Sequence, residues 1–234
     1  MIGEQPYRTP AAFRTAVDAR LRRVAAGQGR PFAEIRREFL YQRFLARVFT
    51  ASPAWVLKGG VGLLTRLPGA RHSRDIDLVD TRADTRLAEA EIRGAGRVNL
   101  GDFLRFEIVR SIRLSVEDAL RLKADVYVGA SRWESFDIDV SCEVHFVSSV
   151  ETIQPTPVLA LTGLPDLPAF RLYPLADQIA DKVAAMYETH GTAPSNRYRD
   201  LVDLILLTGL DGIDASSCPS TRPCRRELRQ PATQ

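Results

Sequence analysis

From Pro10 to about Gly27 the apolar residues Phe13, Val17, Leu21 and Val24 recur every three or four positions, with arginines filling the gaps between them. That period predicts an amphipathic helix. Beyond the Gly- and Pro-containing break at residues 27–31, Ile35, Phe39, Leu40, Phe44 and Val48 repeat the spacing, so a second amphipathic helix precedes the core. Residues 55–60 read as a short strand end or turn, followed by a helix over 61–67 that the Pro-Gly-Ala-Arg-His-Ser run stops. The pattern then changes to strands at 75–80, 103–114, 124–130 and 136–147, where Val, Ile and Phe partly alternate with polar residues. Five prolines between Pro155 and Pro174 predict a linker or extended arm. Helical spacing resumes at Leu175–Gly191 and Arg197–Leu210, with Leu201, Leu204 and Ile205 expected to hold the last helix against the core. Beyond Asp214 there is one leucine and no period, which predicts a poorly ordered tail.

Two helices, a run of strands and more helices predict an α+β fold in four parts: N-terminal helices packed on the core (1–50), the core (51–154), a linker with a C-terminal helical segment (155–214), and the tail (215–234). At 234 residues, one compact unit is expected.

Composition narrows the setting. No stretch approaches the roughly 18 apolar residues of a membrane span, and the N-terminus has no apolar signal segment, so a cytoplasmic protein without membrane contact is expected. The odd set Cys142, Cys218 and Cys224 forms no zinc-type spacing and is expected to stay reduced. Net charge is only +3, but of 32 basic residues just three are lysine: Lys58, Lys123 and Lys182. Arginine forks suit phosphate, although a coding bias explains the same excess.

Candidate chemistry concentrates between Leu57 and Val79. In a strand, Asp75 and Asp77 share one face while Ile76 and Leu78 share the other. Two carboxylates roughly 7 Å apart along a strand repel each other, an arrangement best neutralised by a divalent cation, magnesium foremost and manganese as a substitute. Upstream, Gly59 and Gly60 lack a Cβ and lead into a helix, so backbone N–H groups there can approach an anion at the positive helix end. A metal-bound triphosphate would fit between glycine turn and Asp pair.

The hydrophobic-Gly-Gly turn, helix and Asp-x-Asp strand resemble the signature of the DNA polymerase β-like nucleotidyltransferase superfamily. More closely, "RFLARVF", "WVLKGG", "ARHSRDIDLV", "FDIDV", "ADKVAAM" and "RYRDLVDLILL", in that order over about residues 10–210, resemble the AbiEii/AbiGii family, which includes the MenT toxins of type IV-like toxin–antitoxin systems. The resemblance implies a polymerase β-like core, a mixed sheet with flanking helices.

It also implies site residues. Asp75 and Asp77 would hold the metal. Ser73, two residues before the first carboxylate, would bond a phosphate oxygen, and its phosphorylation would repel metal and triphosphate alike. Lys58, Gly59, Gly60 and Lys182 would contact the nucleotide. Asp200 matches a later functional carboxylate, with Asp203 three residues on in a supporting role. Asp139, sharing a face with Asp137, would act as a base for the incoming hydroxyl or as a further metal ligand. Where typical members continue with an apolar helix after "DLVDL", this chain turns to Pro, Ser and Arg, a departure bearing on acceptor binding and solubility.

The expected activity is magnesium-dependent transfer of NMP from an NTP to RNA, the tRNA 3′ end foremost, by the toxin of a pair that includes an antitoxin protein. Two alternatives stand beside it: nucleotidylation of a small molecule, which needs a closed pocket, and NTP or partner binding without catalysis.

Overall fold

A computed structural model describes residues 7–114, 118–142, 146–187 and 198–209. The expected tail, Cys218, Cys224 and Gly191 lie outside them. The chain divides into two compact units: residues up to 145 with 151–172, and residues 146–150 with those from 173 onward.

In the first unit, helix α1 (Pro10–Gln28) begins where the Thr9 side chain accepts the Ala12 N–H at 3.1 Å, with Pro10 in the first turn, and ends at Gly29 in the left-handed region (φ 63°). Phe13, Val17 and Leu21 are fully buried, each contributing about 1.5–3 kcal/mol. Helix α2 (Phe32–Ala51) buries the anticipated Ile35, Phe39, Leu40, Phe44 and Val48, and also Tyr41, Arg43 and Arg47.

Strand β1 (Trp55–Lys58) runs into α3 (Gly59–Arg66), and β2 (Asp75–Asp80) follows. Helix α4 (Thr85–Arg97) was not anticipated: its buried face is Ala88, Ile92, Ala95 and Gly96, too small to register as an apolar stripe. Strands β3 (Leu104–Leu114), β4 (Ala119–Val128) and β5 (Ser131–Ser141) complete one side of the sheet. The third of these reaches further back than expected and stops before the predicted end. The proline-rich arm is not wholly irregular. Its last residues form β7 (Phe170–Leu172), flanked in the sheet by β6 (Glu151–Ile153).

Among the described residues seven strands lie in the order β3-β4-β5-β2-β1-β7-β6, parallel at β2–β5 and β1–β7 and antiparallel elsewhere, a mixed sheet as the α+β reading expected. Ile76, Leu78, Leu122, Val126, Ile138 and Val140 join the helices' Phe13, Phe39 and Phe44 in one hydrophobic core. Cys142 is a buried free thiol, its pKa pushed up to about 11 by burial and by Asp80.

Beneath α2 lies a wholly buried ion cluster. The Arg47 guanidinium donates to Asp102 Oδ1 at 2.5 Å and Oδ2 at 3.1 Å and to the carbonyls of Arg43, Val98 and Leu104, which uses all five of its N–H groups. Arg43 Nε adds a second cation on Asp102 Oδ2 at 2.8 Å.

The second unit holds α5 (Leu175–Tyr187) and α6 (Tyr198–Thr208). Asp177 is fully buried and accepts the Val147 N–H at 3.0 Å, tying the start of α5 to the preceding segment. The expected inward face of α6 is corrected. Leu201 and Ile205 are 44% and 64% exposed, while Asp203 and Leu207 are fully buried, because Lys182 of α5 draws the carboxylates of α6 inward.

Among the described residues, no helix is long and apolar enough to cross a membrane.

Candidate active site

The site is built on the sheet face opposite the one on which Ile76, Leu78, Ile138 and Val140 join α1, α2 and α4 in the hydrophobic core. Antiparallel pairing sets Lys58 against Asp77, and parallel pairing sets Asp77 against Asp139 and Asp75 against Asp137. Antiparallel β4–β5 pairing continues both rows, from Asp139 to Arg121 and from Asp137 to Lys123. Register partners point to the same face. Four carboxylates on two neighbouring strands are thus flanked by Lys58 on one side and by Arg121 and Lys123 on the other.

The glycine pair fits these side chains closely. A Cβ on Gly59 would lie 1.9 Å from Asp77 Oδ2, and one on Gly60 would lie 2.5 Å from Ser73 Oγ. The missing side chains therefore make room for the Asp77 carboxylate and the Ser73 hydroxyl, and Gly59 also sits at φ +67°. Sequence reasoning found the glycines through their approach to an anion; the structure shows them first making room for the site's own acid and hydroxyl. Gly59→Ala is expected to cost about 1–2 kcal/mol in backbone strain and a further 1–3 kcal/mol in displacement of Asp77. Gly69→Ala, at φ +95° with open space around it, is expected to cost the strain alone. Urea denaturation of the pair separates the two terms, and equal midpoints would show that Asp77 is not pinned by Gly59.

Ser73, only 3% exposed, lies 3.2 Å through its hydroxyl from Asp75 Oδ1. Its carbonyl accepts the Tyr41 hydroxyl at 3.5 Å, and Tyr41 packs edge-on to Phe136 with ring centroids 5.0 Å apart. Helix α2 thereby fixes the loop that precedes the Asp pair. Burial holds the Tyr41 phenol well above its ordinary value, so it stays a hydrogen-bond donor. The neighbouring His72 imidazole is pushed below its ordinary value by burial, with Arg37, Arg30 and Arg74 acting in the same direction against Glu34.

Asp139 is held from the side. Arg121 Nε and Nη2 donate to its two oxygens at 2.8 Å each, a fork that favours a fixed carboxylate. Lys58 Nζ donates to Ser141 Oγ on the same strand at 2.9 Å, and Lys123 Nζ lies 3.8 Å from Asp137. The sequence reading missed Arg121 and Tyr41. One was hidden among 29 arginines, the other in a helix whose aromatic residues read as core.

Lys182, Asp200 and Asp203 come together in the second unit. Lys182 Nζ donates to Asp200 at 2.8 Å and to the buried Asp203 at 2.6 Å. The three expected residues form one ion cluster joining α5 to α6.

The donors at the Asp pair are all oxygens, which fits a hard divalent cation such as magnesium and does not fit a soft one. Among the described residues, no group of three or more His, Cys, Asp or Glu is gathered tightly enough to form a closed metal cage. Oxygens from a substrate would have to complete the coordination shell, as is usual for magnesium.

Comparison with known proteins agrees with this architecture. No curated protein sequence matches the chain. Among solved structures, the MenT4 nucleotidyltransferase toxin from Mycobacterium tuberculosis H37Rv superposes with a TM-score of 0.57 at 18% identity, over 80% of this chain and 62% of that one. JHP933 from Helicobacter pylori gives 0.49 at 18% identity, over 72% and 62%. This chain thus spans 62% of the length of each, and the MenT4 match establishes a shared fold. The sequence profile described as nucleotidyl transferase AbiEii toxin of the type IV toxin–antitoxin system matches residues 43–228. A match over that much of the chain, on a fold shared with a nucleotidyltransferase toxin, places the protein in the AbiEii nucleotidyltransferase toxin family.

Proposed function

We propose that this protein is the toxin of a toxin–antitoxin pair, transferring NMP from an NTP to the 3′ end of RNA, tRNA foremost, in the cytoplasm. The observation that carries the reading is the interlock of Gly59 with Asp77 and Gly60 with Ser73, which sets two carboxylates and a hydroxyl against the start of α3. The acceptor hydroxyl attacks the α-phosphorus of the NTP. A new P–O bond forms, the bond to the β-phosphate oxygen breaks, and pyrophosphate leaves.

Asp75 and Asp77 would hold magnesium, which supplies neutralisation of charge on the phosphate oxygens. Ser73 orients Asp75 and offers its hydroxyl to a phosphate oxygen. Lys58 and the N–H groups at Gly59 and Gly60 bind the triphosphate at the positive end of α3. Asp139, fixed by Arg121, orients the acceptor hydroxyl and receives its proton or joins the metal ligands. Lys182 and Asp200, which the family resemblance adds as a triphosphate contact and a functional carboxylate, pair with each other within the second unit.

The test is incubation of the purified protein with total tRNA, magnesium and each α-labelled NTP in turn, beside Asp75→Ala. Label on tRNA that disappears in the variant is the expected result. Label on no RNA, from a folded protein that binds NTP, would sink the RNA reading in favour of a small-molecule acceptor or binding without transfer.

A further inference from the structure

We infer that Ser141 is a positioning residue for the nucleotide site: its hydroxyl holds the Lys58 ammonium above β2 without neutralising the charge that a triphosphate attracts. The inference rests on the reading of the site as one that binds an NTP, and it adds a residue to which the sequence patterns gave no role.

Register sets the geometry, all of it within the first unit. Along β5 the residues Asp137, Asp139 and Ser141 share one face. Parallel pairing sets Ser141 against Val79 of β2, and antiparallel pairing sets Val79 against Val56 of β1. Ser141 therefore lies two residues along from the row Lys58, Asp77 and Asp139, with β2 between it and Lys58. Strands β1 and β5 stand roughly 10 Å apart, two strand spacings. To place Nζ 2.9 Å from Ser141 Oγ, the lysine side chain must extend across β2 on the face that carries Asp75 and Asp77. Its own backbone leads into Gly59 at the start of α3, where the triphosphate is to bind.

The kind of partner matters as much as its position. Each of the other two lysines lies against a carboxylate: Lys123 Nζ is 3.8 Å from Asp137, and Lys182 Nζ is 2.8 and 2.6 Å from Asp200 and Asp203. Lys58 makes no ion pair within 4.0 Å among the described residues, and its ammonium donates to a neutral oxygen instead. An ammonium has three donors, so one serves Ser141 and two remain for the oxygens of a ligand. Without the hydroxyl, the long stem would have to be ordered at the moment of binding. A released ammonium would also have Asp77 beside it in the same row, and pairing there would occupy a metal ligand and a phosphate contact together.

The probes are α-labelled ATP, GTP, CTP and UTP, each with magnesium, in equilibrium dialysis against the full chain, and the tightest binder carries the comparison. Ser141→Ala is expected to weaken its binding about tenfold, the scale of one hydrogen bond to a charged group, with the melting temperature retained. Ser141→Thr keeps the hydroxyl on a residue that strands favour, and is expected to bind within about twofold of wild type. Ser141→Asp, which pairs with Lys58, is expected to weaken binding at least as far as Ser141→Ala. The deciding readout is the double variant. In a Lys58→Met background, Ser141→Ala is expected to change nothing further, because the two side chains act as one unit. Wild-type affinity in Ser141→Ala, no rescue by threonine, or a full additional loss in the Lys58→Met background would each overturn the proposal and leave the nucleotide reading standing. No binding of any NTP by the folded wild type would sink that reading, and the proposal with it.

Discussion

Arg47→Met is expected to destabilise the protein by about 3–5 kcal/mol, measured as a lower urea midpoint at unchanged slope. Arg47 and Asp102 are both fully buried, and Arg47 ties Asp102 to the carbonyls of Arg43, Val98 and Leu104. Removing the guanidinium leaves those carbonyls and much of a carboxylate without donors in a place water does not reach. Asp102→Asn is expected to cost a similar amount at neutral pH. Its deficit carries a pH signature. Burial would raise the Asp102 pKa, but Arg47 and Arg43 outweigh burial and hold it below the ordinary carboxylate range. A depressed carboxylate stabilises the fold above its unfolded pKa of about 3.9. The gap between wild type and Asp102→Asn should therefore be constant from neutral pH down to about 4 and narrow only in more acidic solution. A gap that closes between pH 7 and 5 would mean that the cluster is not the source.

Asp77→Asn is expected to lower nucleotidyl transfer at least about a thousandfold, on the order of 4 kcal/mol of transition-state stabilisation. The substitution keeps the shape that fills the space beside Gly59 and removes the charge. Four carboxylates crowd β2 and β5, so loss of one relieves repulsion, and the melting temperature should hold or rise. Activity lost with stability kept is the outcome that marks a metal ligand. Transfer within tenfold of wild type would remove Asp77 from that role.

The elements legible from sequence are those with large apolar residues at regular spacing. Helices α1 and α2 and strand β2 match the reading because Phe13, Phe39, Phe44, Ile76 and Leu78 fill the core from the expected positions. Helix α4 escaped because small residues let it approach the sheet: a Cβ on Gly96 would lie 2.4 Å from the Phe106 carbonyl oxygen. Strand β7 escaped because three residues are too few to show a period. The inward face of α6 was misread because a buried ion pair, not hydrophobicity, decides it.

At the site, spacing alone pointed to Asp75, Asp77 and the glycines, and the family resemblance added Ser73. Supports that come from other strands and helices, such as Arg121 on Asp139 and Tyr41 on the Ser73 loop, depend on pairing register and packing that one-dimensional patterns do not carry.

The place of β7 in the sheet has a consequence for synthesis. Strand β1 pairs with β2 on one side at once, but its other side waits for Leu172, which is translated only after every other strand of the sheet. Until the ribosome delivers that residue, the nascent chain presents the open edge of a strand whose Trp55, Val56 and Leu57 are buried in the finished fold. Such an edge can pair with another copy. Chains released before residue 172 should accordingly be clients for chaperones and prone to co-aggregate, while those released just after it can close the sheet.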